Sequence, residues 1–488
     1  MRKTYLLLLM LLLPTFIFAQ TEVSGNQSGV WTYSGSPYSV VGDIVIPNGD
    51  TLFIEPGVTV NFNGFYSITI NGTLQAIGTE TDTIYFSTDD ISTGWHGLRF
   101  NSTQTVSHLN YCSIKYGKTS GSDYPSQHGG GIMLKNSDII LENSLLANNE
   151  ANGDDNGMGG AIYGINTTSQ SHITNCKFIN NHSYGEGGAI KLTGDNGMKI
   201  TKCTFINNSV LYGGGAICLY GCYDTDIYRS LFVSNVTTYS NGGSVLIEGY
   251  SARVRFVNCT MINNSATYGD GGAVEIAFSD ASFTNSIIYN NNGAYSDNIY
   301  LDFGSAEINY CNTPVPDGAI GSYNINADAQ FVNPENYDFH LSSSSPCIDS
   351  GIDSLTIEDA NETLITVIDL DSTEYYGNAP DMGCYEYGMP DGVNDNRGET
   401  VNQFQLFQNY PNPFNPTTMI NYSLEKGGNV NLTIYNSLGQ KVTDLVNKVQ
   451  EAGNYKIKFN ASNLASGIYF YKLQSGNFTK TRKMILMK

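Results

Sequence analysis

A short phrase returns six times between residues 129 and 275, and no other feature limits the fold so tightly. It reads Gly130-Gly131-Ile132, Gly159-Gly160-Ala161-Ile162, Gly187-Gly188-Ala189-Ile190, Gly214-Gly215-Ala216-Ile217, Gly242-Gly243-Ser244-Val245 and Gly271-Gly272-Ala273-Val274, spaced by about 27 to 30 residues. A second phrase keeps the same beat, an apolar residue followed three positions later by Asn. It runs Leu146 to Asn149, Phe178 to Asn181, Phe205 to Asn208, Phe232 to Asn235, Met261 to Asn264 and Ile288 to Asn291. A unit this short cannot bury its own apolar face and must stack on its neighbours. The expected fold is therefore a solenoid of stacked coils.

Composition agrees with strands and tight turns: only 14% of residues are charged, while Gly, Asn, Ser, Thr and Tyr are heavily used. After each Gly-Gly the pattern alternates, with Ile190 and Leu192 turned inward and Lys191 outward. The paired glycines are expected where a bend leaves no room for a Cβ. Recurrent Asn residues are expected to stack about 4.8 Å apart and bond along the axis. Five cysteines fall on the beat, Cys112, Cys176, Cys203, Cys259 and Cys311, with Ser144, Ser230 and Ser286 in the equivalent places. A site shared by Cys and Ser reads as a small, buried, weakly polar stack. Cys347 and Cys384 lie off the beat and are the candidate disulfide. Cys218 and Cys222 are too few ligands for zinc.

The chain divides in order. Residues 1–19 read as a signal peptide: Arg2 and Lys3, an apolar run from Leu6 to Phe18, then Ala19 before Gln20 as the cleavage point. Residues 20–128 are irregular opening coils, 129–300 the Gly-Gly coils, 301–387 closing coils and a cap, 388–403 a linker, and 404–488 a separate domain. No stretch beyond the signal peptide is apolar enough to span a bilayer as a helix. Charge divides as well. Residues 1–400 hold 14 Lys/Arg against 42 Asp/Glu, a balance of −28, and residues 401–488 hold 10 against 3, a balance of +7. So acidic a body argues against nucleic acid or anionic membrane as a partner.

Three resemblances add to this reading. The segment Leu52-Phe53-Ile54-Glu55-Pro56-Gly57-Val58 and the pieces Gln330-Phe331-Val332-Asn333-Pro334 and Ala379-Pro380-Asp381-Met382-Gly383-Cys384 look like the opening and closing parts of secreted β-helix proteins. Gly-Gly-Ala-Ile with Phe178-Ile179-Asn180-Asn181 and Phe205-Ile206-Asn207-Asn208 resembles the polymorphic outer-membrane protein repeat, over residues 129–291. These two resemblances imply an all-β fold, a right-handed parallel β-helix, and the second a passenger of the kind several adhesins use; the alternation of Tyr455, Ile457 and Phe459 suggests that a small C-terminal β-sandwich follows it. The third covers residues 404–488. Asn409-Tyr410-Pro411-Asn412-Pro413-Phe414-Asn415-Pro416, Asn436-Ser437-Leu438-Gly439-Gln440, Leu464-Ala465-Ser466-Gly467-Ile468-Tyr469 and the basic Lys480-Thr481-Arg482-Lys483 resemble the type A C-terminal sorting domain of the type IX secretion system. It implies export to the outer-membrane surface, with secretion or anchoring there and the type IX machinery as partner.

Function is less determined. A catalytic site on such a scaffold needs acid, base or Ca²⁺ ligands converging on one outer face. The outward column is Met133, Tyr163, Lys191, Cys218, Leu246 and Glu275. Lys191 and Glu275 stand three coils apart, roughly 14 Å, too far to act together. Asp89-Asp90 lies outside the regular repeats. No catalytic residue is assigned and no cofactor is required. Asp154-Asp155, Glu186 and Asp270 approach the Gly-Gly turn and could bind Ca²⁺ weakly, and the metal remains unknown. Tyr184, Tyr212, Tyr239 and Tyr268 each precede the Gly-Gly phrase in successive repeats and are the candidate ligand-binding residues, for a polysaccharide or cell-surface glycan. Three readings stay open: adhesion or glycan binding, a polysaccharide lyase or glycosidase, and a structural surface protein.

Overall fold

The computed structural model describes residues 20–389 and 405–487, apart from 154–155, 252, 295, 359–363, 371, 407–408, 410–413, 425–426, 438, 451–452 and 477. The signal peptide up to Ala19, most of the expected linker, Asp154-Asp155 and Tyr410 to Pro413 of the sorting motif lie outside the described residues. Chain contacts divide the protein into Met1–Pro390 and Asp391–Lys488.

One coil shows the rule for the first unit. Gly187 turns the chain at φ +68°, and Ile190–Thr193, Lys199–Thr201, Thr204–Ile206 and Ser209–Val210 follow as strands. Each pairs in parallel with its equivalent one repeat later: Ile190 with Ile217, Ile200 with Ile227, Phe205 with Phe232, and Ser209 with Val236. The first unit is thus a parallel β-helix, with four strands in each coil between Leu98 and Ala266. Only the first and third were evident in the sequence. The second has a single buried residue in this coil and the next, Ile200 and Ile227, and the fourth is two residues long, too short for an alternation to show.

Inward residues build one continuous core of fully buried side chains, Ile190, Leu192, Ile200 and Phe205 in this coil. Phe178, Phe205 and Phe232 stack ring on ring at 4.8 and 4.7 Å. Burial of each such side chain contributes about 1.5–3 kcal/mol. The expected asparagine stack is present. Asn149, Asn181, Asn208, Asn235, Asn264 and Asn291 are buried, each Nδ2 donating to the Oδ1 of the next at 2.9–3.0 Å. The same Oδ1 accepts the backbone N–H of the preceding Asn, so one oxygen satisfies two donors of the adjacent coil. The Cys/Ser column is buried too: Ser230 Oγ accepts the Cys203 N–H at 3.1 Å, and Cys203 Sγ donates to the Ile173 carbonyl.

Residues 325–387 lie along the flank of the solenoid as well as near its end. Phe339 and Cys384 pack on Leu231, Val233 and Ile262, which face outward from the third strands of successive coils. Ala329, Leu341, Cys347 and Met382 pack on Ile287. Cys347 and Cys384 therefore sit in different clusters, and no disulfide joins them, contrary to the pairing expected from sequence. Cys347 Sγ instead accepts from Asn312 Nδ2 at 3.2 Å.

The second unit is a β-sandwich of two antiparallel sheets. One orders Gln405–Leu406, Thr417–Leu424 and Gly453–Asn460; the other orders Lys441–Gln450, Gly428–Asn436, Gly467–Ser475 and Phe478–Leu486. Buried Tyr422, Tyr471, Ile434 and Leu473 fill the space between them. Asn409 of the sorting motif is buried, its N–H donating to the Tyr471 hydroxyl at 2.7 Å and its Nδ2 to Thr418 Oγ1 at 2.9 Å.

Candidate functional site: the outer face of the Gly-Gly sheet

The first strands of the coils place Arg99, Met133, Tyr163, Lys191, Cys218, Leu246, Glu275 and Tyr300 in one register column pointing away from the core. Outward alternation alone would leave this column in solvent. The structure corrects that: Lys191 is only 3% exposed, and Met133, Tyr163, Cys218, Leu246 and Glu275 are buried. The cause is the Gly-Gly turn itself, which folds the preceding loop back over the strand. A Cβ on Gly213 would stand 2.5 Å from Leu246 Cδ2, and one on Gly214 3.1 Å from Cys218 Cβ. The column is a second, polar layer beneath a roof of turns.

Within that layer Lys191 is the centre of a charge cluster. Its ammonium donates to Glu186 Oε2, to Cys218 Sγ at 3.1 Å and to Glu248 Oε1 at 3.4 Å, and lies 5.2 Å from the centre of the Tyr220 ring. Burial pushes the Lys191 pKa down; Cys218, Glu186 and Glu248 outweigh it, and the net shift is upward. Burial pushes the Cys218 thiol up. Burial also raises Glu248, helped by the nearby Glu186 charge. The result is a protonated lysine beside a protonated thiol, held by carboxylates. Ligand atoms of Glu186, Cys218 and Glu248 lie within 4.8 Å of one another, a spacing that could hold a metal ion. The ammonium already bonds all three, so a cation's place is filled by the chain's own Lys191. Cys222 belongs to the core on the other side of the backbone and cannot join Cys218 in a site.

Glu275 lies further along the column, accepting from Asn241 Nδ2 at 2.9 Å, and burial raises it to about 7. At the other end Arg99 is buried, donating to the carbonyls of His96 and His128. Burial lowers both histidines to about 4, with Arg99 adding to the effect, so neither is charged near neutrality. Lys191 and Glu186 stood out in the sequence, and Glu248 did not. Their convergence was not legible, because Glu248 reaches Lys191 diagonally, two coils away.

On the roof stand the candidate tyrosines. Tyr212, Tyr239 and Tyr268 are exposed, Tyr268 to 72%, with ring centres 6.2 and 6.1 Å apart. Backbone bonds from Tyr239 N to Leu211 O and Tyr268 N to Thr238 O hold the spacing. Tyr184 departs from the ladder: it is half-buried and meets the His182 ring edge-on at 5.1 Å. Of the candidate calcium residues, Glu186 is bonded to Lys191, and the Asp270 N–H donates to Asn241 Oδ1. Cavities of about 500 Å³ beside Asn71 and Asn101, and about 360 Å³ beside Tyr289 and Phe331, both lie away from this face.

Residues 408–487 match the family model of the secretion system C-terminal sorting domain, and residues 175–193 and 202–220 match the Chlamydia polymorphic membrane protein repeat. Over 67 residues the chain is 42% identical to Protein bark beetle of Drosophila melanogaster, covering 13% of this chain and 2% of that one. The chain therefore spans a very small part of that relative's length. No solved structure matches the chain. Among the described residues no helix is long and apolar enough to cross a membrane. The protein is a parallel β-helix of polymorphic-membrane-protein-like repeats that carries a type IX secretion C-terminal sorting domain, and so belongs with proteins secreted to, or displayed at, the outer-membrane surface.

Proposed function

We propose that the mature protein holds glycan chains at the cell surface, using the Tyr212, Tyr239 and Tyr268 ladder, and does not cleave them. The supporting observation is three exposed rings in line at about 6 Å steps on a rigid coil stack. Aromatic faces suit the apolar faces of sugars, and a row of them suits an extended chain. Of the acids that catalysis would need, Glu275 is buried and bonded to Asn241, and Glu248 is paired with the Lys191 ammonium. Residues 1–19 are proposed to direct export, with cleavage between Ala19 and Gln20; the N-terminus of the secreted protein checks this.

The test is a polysaccharide panel scored for both retention and product release. Retention without new reducing ends or unsaturated products is expected. The Tyr212→Ala, Tyr239→Ala, Tyr268→Ala triple variant should lose retention while keeping its melting temperature. Product release by the parent chain would replace this reading with a lyase or glycosidase, and unchanged retention in the triple variant would remove the ladder from it.

A further inference from the structure

A second aromatic strip edges the same sheet where its strands end. Tyr250, Phe278 and Phe303 follow the strands Val245–Glu248, Val274–Ala277 and Ile299–Asp302, with ring centres 6.3 and 5.2 Å apart. All three are exposed, Phe303 to 83%. Two observations bear on what this strip can do. The first is backbone conformation: the turn after this strand is left-handed in every coil, and Asn136, Asn166, Gly194, Gly221 and Gly249 occupy it in turn. Phe278 (φ +50°) and Phe303 (φ +52°) hold the same position, where a bulky side chain is strained. They recover little burial in exchange. Tyr111, Tyr116, Tyr310 and Tyr323 are left-handed elsewhere in the coils, so the weight falls on exposure: three large rings in line, with little burial, suit a ligand face.

The second observation is charge. Asp280 opens the strand after Phe278 and Asp302 ends the strand before Phe303, and among the described residues neither forms an ion pair with a cation. The Asp280 carboxylate accepts only the Ser305 hydroxyl, at 2.5 Å. The neighbouring cation, Arg253, is taken by Asp224 at 2.5 and 2.6 Å. Rings framed by carboxylates, on a body with a balance of −28, repel uronate chains and attract protonated amines.

We infer that Tyr250, Phe278 and Phe303 form a second saccharide subsite, for a chain whose sugars carry free amino groups. The rings take the apolar sugar faces, and Asp280 and Asp302 take the ammonium groups. This rests on the glycan-holding reading above and names the sugar class. Tyr220 joins the strip to the buried cluster: a Cβ on Gly249 would stand 3.0 Å from its ring, whose other neighbour is the Lys191 ammonium.

The experiment measures binding of hexamers of glucosamine, N-acetylglucosamine and galacturonate to the purified secreted protein at low salt. The glucosamine hexamer should bind roughly tenfold or more tightly than its acetylated form, and galacturonate least. In the Phe278→Asn, Phe303→Asn variant, glucosamine affinity should fall roughly tenfold. Asn already occupies this turn in two other coils, so the melting temperature should hold or rise, and loss of binding is then not unfolding. Asp280→Asn with Asp302→Asn should erase the preference for the free amine. Unchanged glucosamine affinity in the double Phe variant overturns the inference, as does equal or tighter galacturonate binding. The tyrosine triple variant separates the two readings: if it alone loses retention, the first ladder stands and this subsite falls.

Discussion

Glu275 shows how a single side chain records its surroundings. Asn241 is its hydrogen-bond partner, and Asp302, Glu248 and Asp270 add negative charge around it. Burial raises its pKa from 4.5 to about 7, so folding favours the protonated form. The associated stability is fully present below pH 4.5 and is lost as the pH rises through about 7. Glu275→Gln should therefore flatten the fall in melting temperature between pH 4.5 and 7, and an unaltered slope would contradict the assignment. Lys191 illustrates the opposite case. Its column position was legible from the alternation, yet its burial was not, because the loop that covers it comes from outside the strand.

At the level of the coil, two elements set the geometry. Gly187 supplies a positive φ, and Gly188 supplies close approach: a Cβ there would lie 2.0 Å from the Gly215 carbonyl oxygen. Gly188→Ala should force adjacent coils apart and lower the melting temperature by several degrees, whereas alanine at exposed Gly439, whose Cβ meets nothing within 4 Å, should cost only its left-handed strain. The asparagine stack depends on the same spacing. Removing Asn208 leaves the Asn181 backbone N–H and Nδ2 without their acceptor and the Phe178 carbonyl without its donor. Asn208→Ala is expected to cost roughly 3 kcal/mol or more in urea titration, since buried orphans cost about 1–3 kcal/mol each.

For the whole molecule, the solenoid and the sorting domain each have their own core. A chain ending at residue 390 should keep the solenoid's β circular dichroism and its glycan retention but fail to reach the medium or the cell surface. Fractionation of the producing cells checks this, and normal delivery of the shortened chain would contradict the role of residues 408–487.

What the sequence determined alone was whatever repeats along the coils: coil length, inward columns, and the asparagine and cysteine stacks; the sorting domain was legible separately, from its motifs. The repeated features follow from local backbone demands and stacking, which recur at the same offset in every coil. The tertiary structure decided what depends on contact across coils or on a covering segment. It buried Lys191 and Glu275 under turns, brought Glu248 to Lys191, split Tyr184 from its ladder and placed Cys347 apart from Cys384. It also revealed Phe278 and Phe303 as neighbours in a left-handed column, although they lie 25 residues apart and outside the repeated phrases. Periodicity records how coils stack; only the folded chain shows which side chains a turn covers and which it leaves to solvent.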